Sequence, residues 1–308
     1  MDYFFYILNN VMLPIFLLIL AGAVLNIVLK FDIKTLSGLL FNLLIPVMLF
    51  LKVYDSDLDG SIVLNVVIAV SLTIFIMYII SFLVSKVFRF SKSETSVFIN
   101  SSTFFNSGNF SLPLMQLLFN NPFVISVQAI IMLVNSILFF TTGVLTAGAG
   151  ERGIKATLTY IIKMPLMYAI ALAFILKNLD IKIYPPIMES LNLIATGYSA
   201  LAIITLGAQL TQIRVKFLNF KIYLSNFLRL IISPIVAYFL VQLLGITGIT
   251  AQVIVIAMGA PTAINVVLTS IQMDNEPDFA SQAVFSSTLL ASITMSLVIF
   301  MVFKYMPV

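Results

Sequence analysis

Long apolar segments separated by short polar connections run through the whole chain. At about 20 apolar residues for each membrane crossing, this pattern predicts about ten transmembrane helices. The first segment is interpreted as a span and not as a cleavable signal, because Met1-Asp2-Tyr3 carries no basic residue. The predicted spans are Phe5–Leu29, Leu36–Val53, Ile62–Phe88, Thr95–Phe119, Phe123–Ala147, Ile154–Leu176, Pro186–Leu210, Ile222–Leu244, Ile249–Met273 and Phe279–Phe303.

The composition supports an all-α polytopic membrane protein and excludes most enzyme chemistry. Hydrophobic residues make up 61% of the 308 residues and charged residues only 9%, whereas a soluble domain has about 25% charged residues. The chain has no Cys and no His, which removes disulfides, thiol nucleophiles, His bases and the usual zinc sites. We therefore expect no enzyme activity, no cofactor and no bound metal.

The basic residues carry a topology signal. Twelve of the sixteen Lys and Arg residues fall in one set of alternate connections and four in the other. The positive-inside rule makes the richer side cytoplasmic, so both termini of this plasma-membrane protein are predicted to be extracytoplasmic. The positive charges are spread over many loops, so nucleic acid is not an expected partner. The twelve are Lys30, Lys34, Lys86, Arg89, Lys92, Arg152, Lys155, Lys163, Arg214, Lys216, Lys221 and Arg229.

Short matches between the two halves of the chain indicate an internal repeat. Pro14 and Pro165 occupy similar places in the first and sixth spans, and a Pro precedes Gln128 as one precedes Gln282. These matches share an offset of about half the chain. Because five spans is an odd number, the second half enters the membrane from the opposite side, which predicts two inverted five-helix repeats. Their ranges are residues 1–148 and 149–308.

Two spans contain Gly and Pro near their middle. The fourth reads Asn106-Ser107-Gly108-Asn109-Phe110-Ser111-Leu112-Pro113, and the ninth reads Met258-Gly259-Ala260-Pro261-Thr262-Ala263-Ile264-Asn265. Gly permits unusual backbone angles and Pro removes an N–H, so both helices are predicted to break. Such breaks persist in a membrane only against protein or a polar cavity.

We expect the second halves of these helices to begin at Pro113 and Pro261, because Pro suits the first position of a helix. Each helix N-terminus would aim about half a positive charge at the centre, where it can bind an anion. The alternative is that the prolines only bend the helices for packing. That is the interpretation for Pro14, Pro46, Pro165 and Pro234.

The ligand candidates around the breaks are neutral. Side chains that flank the breaks or recur in both halves are the predicted substrate contacts: Asn106, Asn109, Gln128, Asn265 and Gln282. For Asn135 and Ser286, hydrogen bonds between helices are the favoured interpretation. Arg229 either neutralises an anion or extends to the cytoplasmic face. Proton coupling would need Glu94 or Glu189, both near span ends, whereas neutral oxygens could also hold Na⁺.

Several motifs together resemble those of the auxin efflux carrier family, which includes plant PIN proteins and bacterial malonate-permease-like carriers. The resemblance covers essentially the whole chain. It rests on Asn106–Pro113 with Leu114, on Gly259–Ala263, on the stretch from Gln282 to Thr294, on Asn42-Leu-Leu-Ile-Pro46 and on Ala202–Leu210.

The resemblance implies a particular architecture and site. Spans 1, 2, 6 and 7 would form a scaffold that dimerises, and spans 3–5 and 8–10 a transport domain with crossing fourth and ninth helices. Asn106 matches a substrate-contacting Asn of plant members, and Asn42 and the break residues Gly108, Pro113, Gly259 and Pro261 belong to the same motifs. An acidic residue that plant carriers have in the third span is missing, and Asn265 stands where they tend to have a second proline.

The resulting hypothesis is a secondary transporter that moves a small organic anion, a carboxylate, by elevator-type alternating access, as an efflux carrier or uniporter. The alternatives are a sodium-coupled organic-anion symporter of the bile-acid type and a non-transporting membrane sensor that holds a lipid or sterol. The expected partners are the carboxylate, the lipid bilayer, a coupling Na⁺ or H⁺ and a second copy of the chain.

Overall fold

A computed structural model of the chain describes residues 2–55, 59–119, 121–147, 165–213 and 220–306. Every regular element in these ranges is a helix, which confirms the all-α prediction. The helices are α1 Phe4–Leu29, α2 Ile33–Tyr54, α3 Gly60–Val87, α4 Lys92–Thr103, α5 Leu112–Phe119, α6 Pro122–Thr146, α7 Pro165–Asn178, α8 Pro185–Leu210, α9 Phe220–Leu243, α10 Gly248–Ala257, α11 Ile264–Gln272 and α12 Pro277–Tyr305.

Seven of the described helices are long and apolar enough to cross a membrane: α1, α2, α3, α6, α8, α9 and α12. The predicted fourth span is divided between α4 and α5, and the predicted ninth between α10 and α11. The length and composition of these helices support a multi-pass architecture, whereas the count of ten and the inversion of the halves stay predictions. The start of the predicted sixth span, the boundary between the halves, and Arg152, Lys155, Lys163, Arg214 and Lys216 lie outside the described residues.

Three of the prolines assigned to packing lie in helices that continue past them. Pro14, Pro46 and Pro234 each follow a single π turn, formed by Leu8–Met12, Leu40–Leu44 and Leu228–Ile232. A proline has no N–H and its ring clashes with the carbonyl four residues earlier. The wider π turn accommodates that carbonyl, so α1, α2 and α9 continue through their prolines.

Helices α1 and α8 cross with their backbones in direct contact. A Cβ atom placed on Gly22 would lie 2.0 Å from the carbonyl oxygen of Ile204, and one placed on Gly207 would lie 1.9 Å from that of Ile19. Only glycine fits at both positions, as is common where membrane helices approach closely. Beside the crossing, Asn26 donates a hydrogen bond of 2.6 Å to the hydroxyl of Thr211.

The interrupted helices occupy the centre of the molecule. Nearly all of residues 96–115 and 251–263 are buried, and α3, α6, α9 and α12 pack around them. Helices α1, α2, α7 and α8 pack together as a second group. Large apolar side chains on the outer helices, such as Val28 and Leu243, are exposed, as expected of a surface that faces lipid.

Candidate substrate site

The two interruptions pair with each other at the centre of the molecule. Phe105 and Thr262 form an isolated antiparallel bridge. The backbone N–H of Asn106 donates to the carbonyl of Pro261 at 2.8 Å, and that of Ala263 donates to the carbonyl of Phe104 at 3.1 Å. These bonds satisfy backbone groups that the interrupted helices leave free, which hydrocarbon could not do. We call residues 104–106 and 258–263 the first and second break.

The position of each break differs from the sequence prediction. The first break precedes Gly108, and a π turn over Ser107–Ser111 restarts the helix before Pro113. Pro113 therefore lies inside the second half and not at its first position. Pro261 lies in extended backbone, and α11 begins three residues later at Ile264. The π turn before Pro113 relieves its ring clash, as it does at Pro14, so Pro113 alone does not break the helix.

Both second halves begin as helix N-termini beside the breaks. Asn106 caps the first of them, because its Oδ1 accepts a hydrogen bond of 3.1 Å from the N–H of Asn109. Ala263 precedes α11 without a side-chain cap. Backbone N–H groups at the start of a helix lack partners within it and carry a partial positive charge. The two breaks thus bring two such N-termini to one region.

A cavity of about 600 Å³ opens against these N-termini. Five of the predicted residues line it, namely Asn42, Asn106, Gly108, Asn109 and Asn265. The Nδ2 atom of Asn106, a residue only 7% exposed, has no hydrogen-bond partner within the described part of the chain. A buried amide donor without a partner is costly, so it is well suited to bind a ligand.

The other predicted residues do not line this cavity. Gln128 is fully buried behind the first break, where its Nε2 donates to the carbonyl of Ser107 at 3.2 Å. Gln282 is buried in α12, and Gly259 packs near the sulfur of Met295. Pro261 contributes its carbonyl to the pairing of the breaks. Their geometry points to support of the site rather than contact with a ligand.

Three contributors were missed or left undecided by sequence reasoning. Asn135 lines the cavity and donates to the carbonyl of Phe105 at 3.0 Å and to the hydroxyl of Ser107 at 3.2 Å. Gln209 reaches the cavity from α8. Its Oε1 accepts a hydrogen bond of 3.4 Å from the Nδ2 of Asn109, and its Nε2 donates one of 3.1 Å to the hydroxyl of Ser37. Tyr198, fully buried, donates to the carbonyl of Gly108 at 2.7 Å. Its place beside a glycine carbonyl in another helix leaves no local signal in the sequence.

The chemistry of the lining is neutral and divided into two kinds. The lining side chains within the described residues are all uncharged. Amides cluster near the breaks, while the rings of Phe41, Phe105, Phe139 and Phe140 supply an apolar wall. A ligand that fits this cavity has a group that accepts hydrogen bonds and an apolar body.

A multi-pass helical protein with a polar cavity at two paired helix breaks belongs to the class of membrane transport proteins. Comparison with known proteins supports this assignment. A family model described as "Membrane transport protein" matches residues 7–156 and again residues 151–299. An uncharacterized transporter from Methanothermobacter thermautotrophicus is 27% identical over 304 residues, covering 94% of this chain and 96% of the relative.

The chain belongs to this membrane transport protein family, because the family model matches nearly its full length. The resemblance to auxin efflux carriers drawn from the sequence motifs is thereby confirmed at the level of the family. Family and relative both indicate a transporter and not an enzyme.

Proposed function

We propose that this protein is a secondary carrier for an organic anion with a carboxylate at one end and an apolar body at the other. The observation that carries the proposal is the pair of helix N-termini beside the unpartnered Nδ2 of Asn106 in a cavity lined by neutral side chains. Helix N-termini and amide donors are groups that bind carboxylates in proteins.

The apolar wall narrows the choice of anion. Four phenylalanine rings share the cavity with Met132, Leu166 and Leu268, and a small dicarboxylate would leave this surface in contact with water. An amphipathic monocarboxylate covers it and keeps its charged end at the breaks. Burial of apolar ligand surface contributes roughly 25 cal/mol per Å². We therefore rank such monocarboxylates above dicarboxylates such as malonate.

The arrangement of the helices supports alternating access of the elevator type. The group formed by α1, α2, α7 and α8 corresponds to the proposed scaffold, and the group around the breaks to the proposed transport domain. The two successive matches of the family model are consistent with two repeats, whose inversion would follow from five spans in each.

In the proposed carrier, the cavity lies toward one side of the membrane. Its lining includes Ser37 and Gln209, which lie within a few residues of the connections rich in Lys and Arg. Toward the opposite side, Tyr198 bonds to Gly108, and Ser199 donates to the amide oxygen of Gln116 at 2.6 Å. We interpret this arrangement as a state that is open to the cytoplasm and closed to the outside.

Uptake by proteoliposomes tests the proposal. The wild-type protein is given labelled amphipathic monocarboxylates and dicarboxylates, with and without Na⁺ and a pH gradient. We expect saturable uptake of a monocarboxylate, with affinity reduced about tenfold or more in Asn106→Ala, because a hydrogen bond to a charged group contributes about 1.5–3 kcal/mol. Asn10→Ala is the matched control, since Asn10 is exposed and its Nδ2 donates to the carbonyl of Tyr6, one turn earlier in the same helix.

Other outcomes would contradict the proposal. Unchanged affinity in Asn106→Ala together with lowered thermal stability would assign Asn106 to packing. Strict dependence on Na⁺ would favour the sodium-coupled symporter. Failure to transport any carboxylate, with saturable binding of a sterol or lipid, would favour the membrane sensor.

A further inference from the structure

Arg229 is a charged side chain buried in the centre of the molecule, away from the cavity. It lies in the π turn of α9 and is 0% exposed. Its Nη1 donates to the carbonyls of Thr103 at 2.6 Å and of Ser102 at 3.4 Å, and its Nη2 donates to the carbonyl of Met258 and the hydroxyl of Ser233. All four partners are neutral oxygen atoms.

Three of these partners lie where the first halves of the two interrupted helices end. Ser102 and Thr103 end α4, and Met258 directly follows the last residue of α10. They are the carbonyl ends of the two interrupted helices, where the backbone has no further N–H to accept from. Each helix C-terminus carries about half a negative charge, so the two together approach one unit of negative charge. Arg229 supplies one unit of positive charge at the point where they meet.

A buried cation without a carboxylate needs such compensation, because removing its charge from water is expensive. The guanidinium is planar and presents its donors as a fixed fork, which suits two carbonyl ends at once. Its guanidinium carbon also lies 5.4 Å from the ring centre of Phe105, which lines the cavity, whereas Arg229 does not.

We propose that Arg229 is a positioning residue of the anion site, which neutralises the carbonyl ends of both interrupted helices so that the amide ends beyond the breaks present a net positive potential to the cavity. This inference rests on the proposed anion carrier. Without Arg229, two negative poles would lie just behind two positive poles and would offset them. The sequence alternatives for Arg229, direct contact with the anion or extension to the cytoplasmic face, are not what the geometry shows.

The potential in the cavity can be measured without knowing the substrate. The chain has no Cys, so Asn265→Cys places a single thiol in the cavity beside the start of α11, and Asn65→Cys places one at an exposed site on α3. No charged residue lies within five positions of Asn65 in the sequence. Each purified variant is reacted with anionic sulfonatoethyl and cationic trimethylammonioethyl methanethiosulfonate. The thiolate attacks the disulfide-forming sulfur of either reagent and displaces methanesulfinate, so the ratio of the two rates reports the local potential and not the thiolate fraction.

We expect the anionic-to-cationic rate ratio at Asn265→Cys to exceed that at Asn65→Cys by about three- to tenfold, the range typical of helix-terminus charge effects. Adding Arg229→Gln should remove this preference at position 265 and leave position 65 unchanged. Arg229→Lys, which keeps the charge, should retain it. High salt should weaken the preference at position 265 less than it would weaken a preference at an exposed site.

Two results would overturn the inference. A ratio at position 265 equal to that at position 65 in the protein with Arg229 intact would do so without any substitution of Arg229, which covers the case in which Arg229→Gln does not fold. A folded Arg229→Gln variant that keeps the preference but unfolds at lower temperature would assign Arg229 to packing. The assay contains no carboxylate, so failure of carboxylate uptake with the preference intact would refute the proposed substrate and not the role of Arg229.

Discussion

The contact between α1 and α8 gives the sharpest quantitative prediction, which concerns Gly207→Ala. The added Cβ would lie 1.9 Å from the carbonyl oxygen of Ile19, 2.8 Å from its carbonyl carbon and 3.0 Å from the backbone nitrogen of Ala23. All three are backbone atoms of a helix, so no side-chain rotation relieves the clash. The two helices must move apart.

The size of that movement determines how much the free energy of unfolding falls. A comfortable carbon contact needs about 3.5 Å, so the axes must separate by roughly 1.5 Å at this point. A gap of even 0.5–1 Å forfeits about a quarter to a half of the dispersion energy of the contacts that open. Overpacking typically costs about 1–3 kcal/mol. We expect Gly207→Ala to lower the free energy of unfolding by about 3 kcal/mol, the upper end of this range. The reason is that the movement also strains the hydrogen bond between Asn26 and Thr211.

Thermal unfolding in detergent measures the effect, with Gly60→Ala as the matched control. Gly60 begins α3, and no atom lies within 4 Å of the place that a Cβ on this residue would occupy. The control should melt at or slightly above the wild-type temperature, because Ala favours helix over Gly by up to about 1 kcal/mol. Gly207→Ala should melt several degrees lower. If it melts with the wild type, the crossing adapts freely and the argument from backbone contact fails.

Three further predictions concern transport. Tyr198→Phe removes the hydrogen bond to the carbonyl of Gly108, which is worth about 1 kcal/mol. The cavity thiol of Asn265→Cys should then react about fivefold faster from the side poor in Lys and Arg, as measured with an impermeant reagent on sealed vesicles. Pro261→Ala restores an N–H and lets α10 continue past Ala257, so uptake should fall sharply, whereas Pro14→Ala should retain it. Because the cavity side chains that the structure describes are neutral, substrate-induced current on a solid-supported membrane should appear without Na⁺ and vary little between about pH 6 and 8. A voltage of 100 mV should bias transport by about 2.3 kcal/mol per charge.

Sequence patterns identify the breaks because the surrounding segments are so apolar. Gly and Pro at mid-membrane depth leave backbone groups free, and only an interior position can satisfy them. Both predicted regions do contain an interruption, one after Thr103 and one after Ala257. Four of the predicted amide ligands, Asn42, Asn106, Asn109 and Asn265, also line the cavity.

The register within each break was beyond prediction. The first break lies at Phe104 and Asn106 because these residues pair with Pro261 and Ala263, and such pairing depends on a segment in the other half of the chain. A proline contributes only a local clash, which one π turn can absorb. Local signals therefore locate a break to within a few residues, and the partner segment sets its place.

Arg229 illustrates why a charged residue in an apolar segment is difficult to interpret from sequence. The usual search is for a carboxylate partner, an anion or a route to the membrane surface. The partners of Arg229 are instead carbonyl groups at the ends of two helices, and a helix end has no residue type of its own. Any broken helix creates a negative pole as well as a positive one, so an anion site built from two breaks also requires something to neutralise the two negative poles. A lone buried cation near two Gly–Pro interruptions is then a sign that both ends of the broken helices are being used.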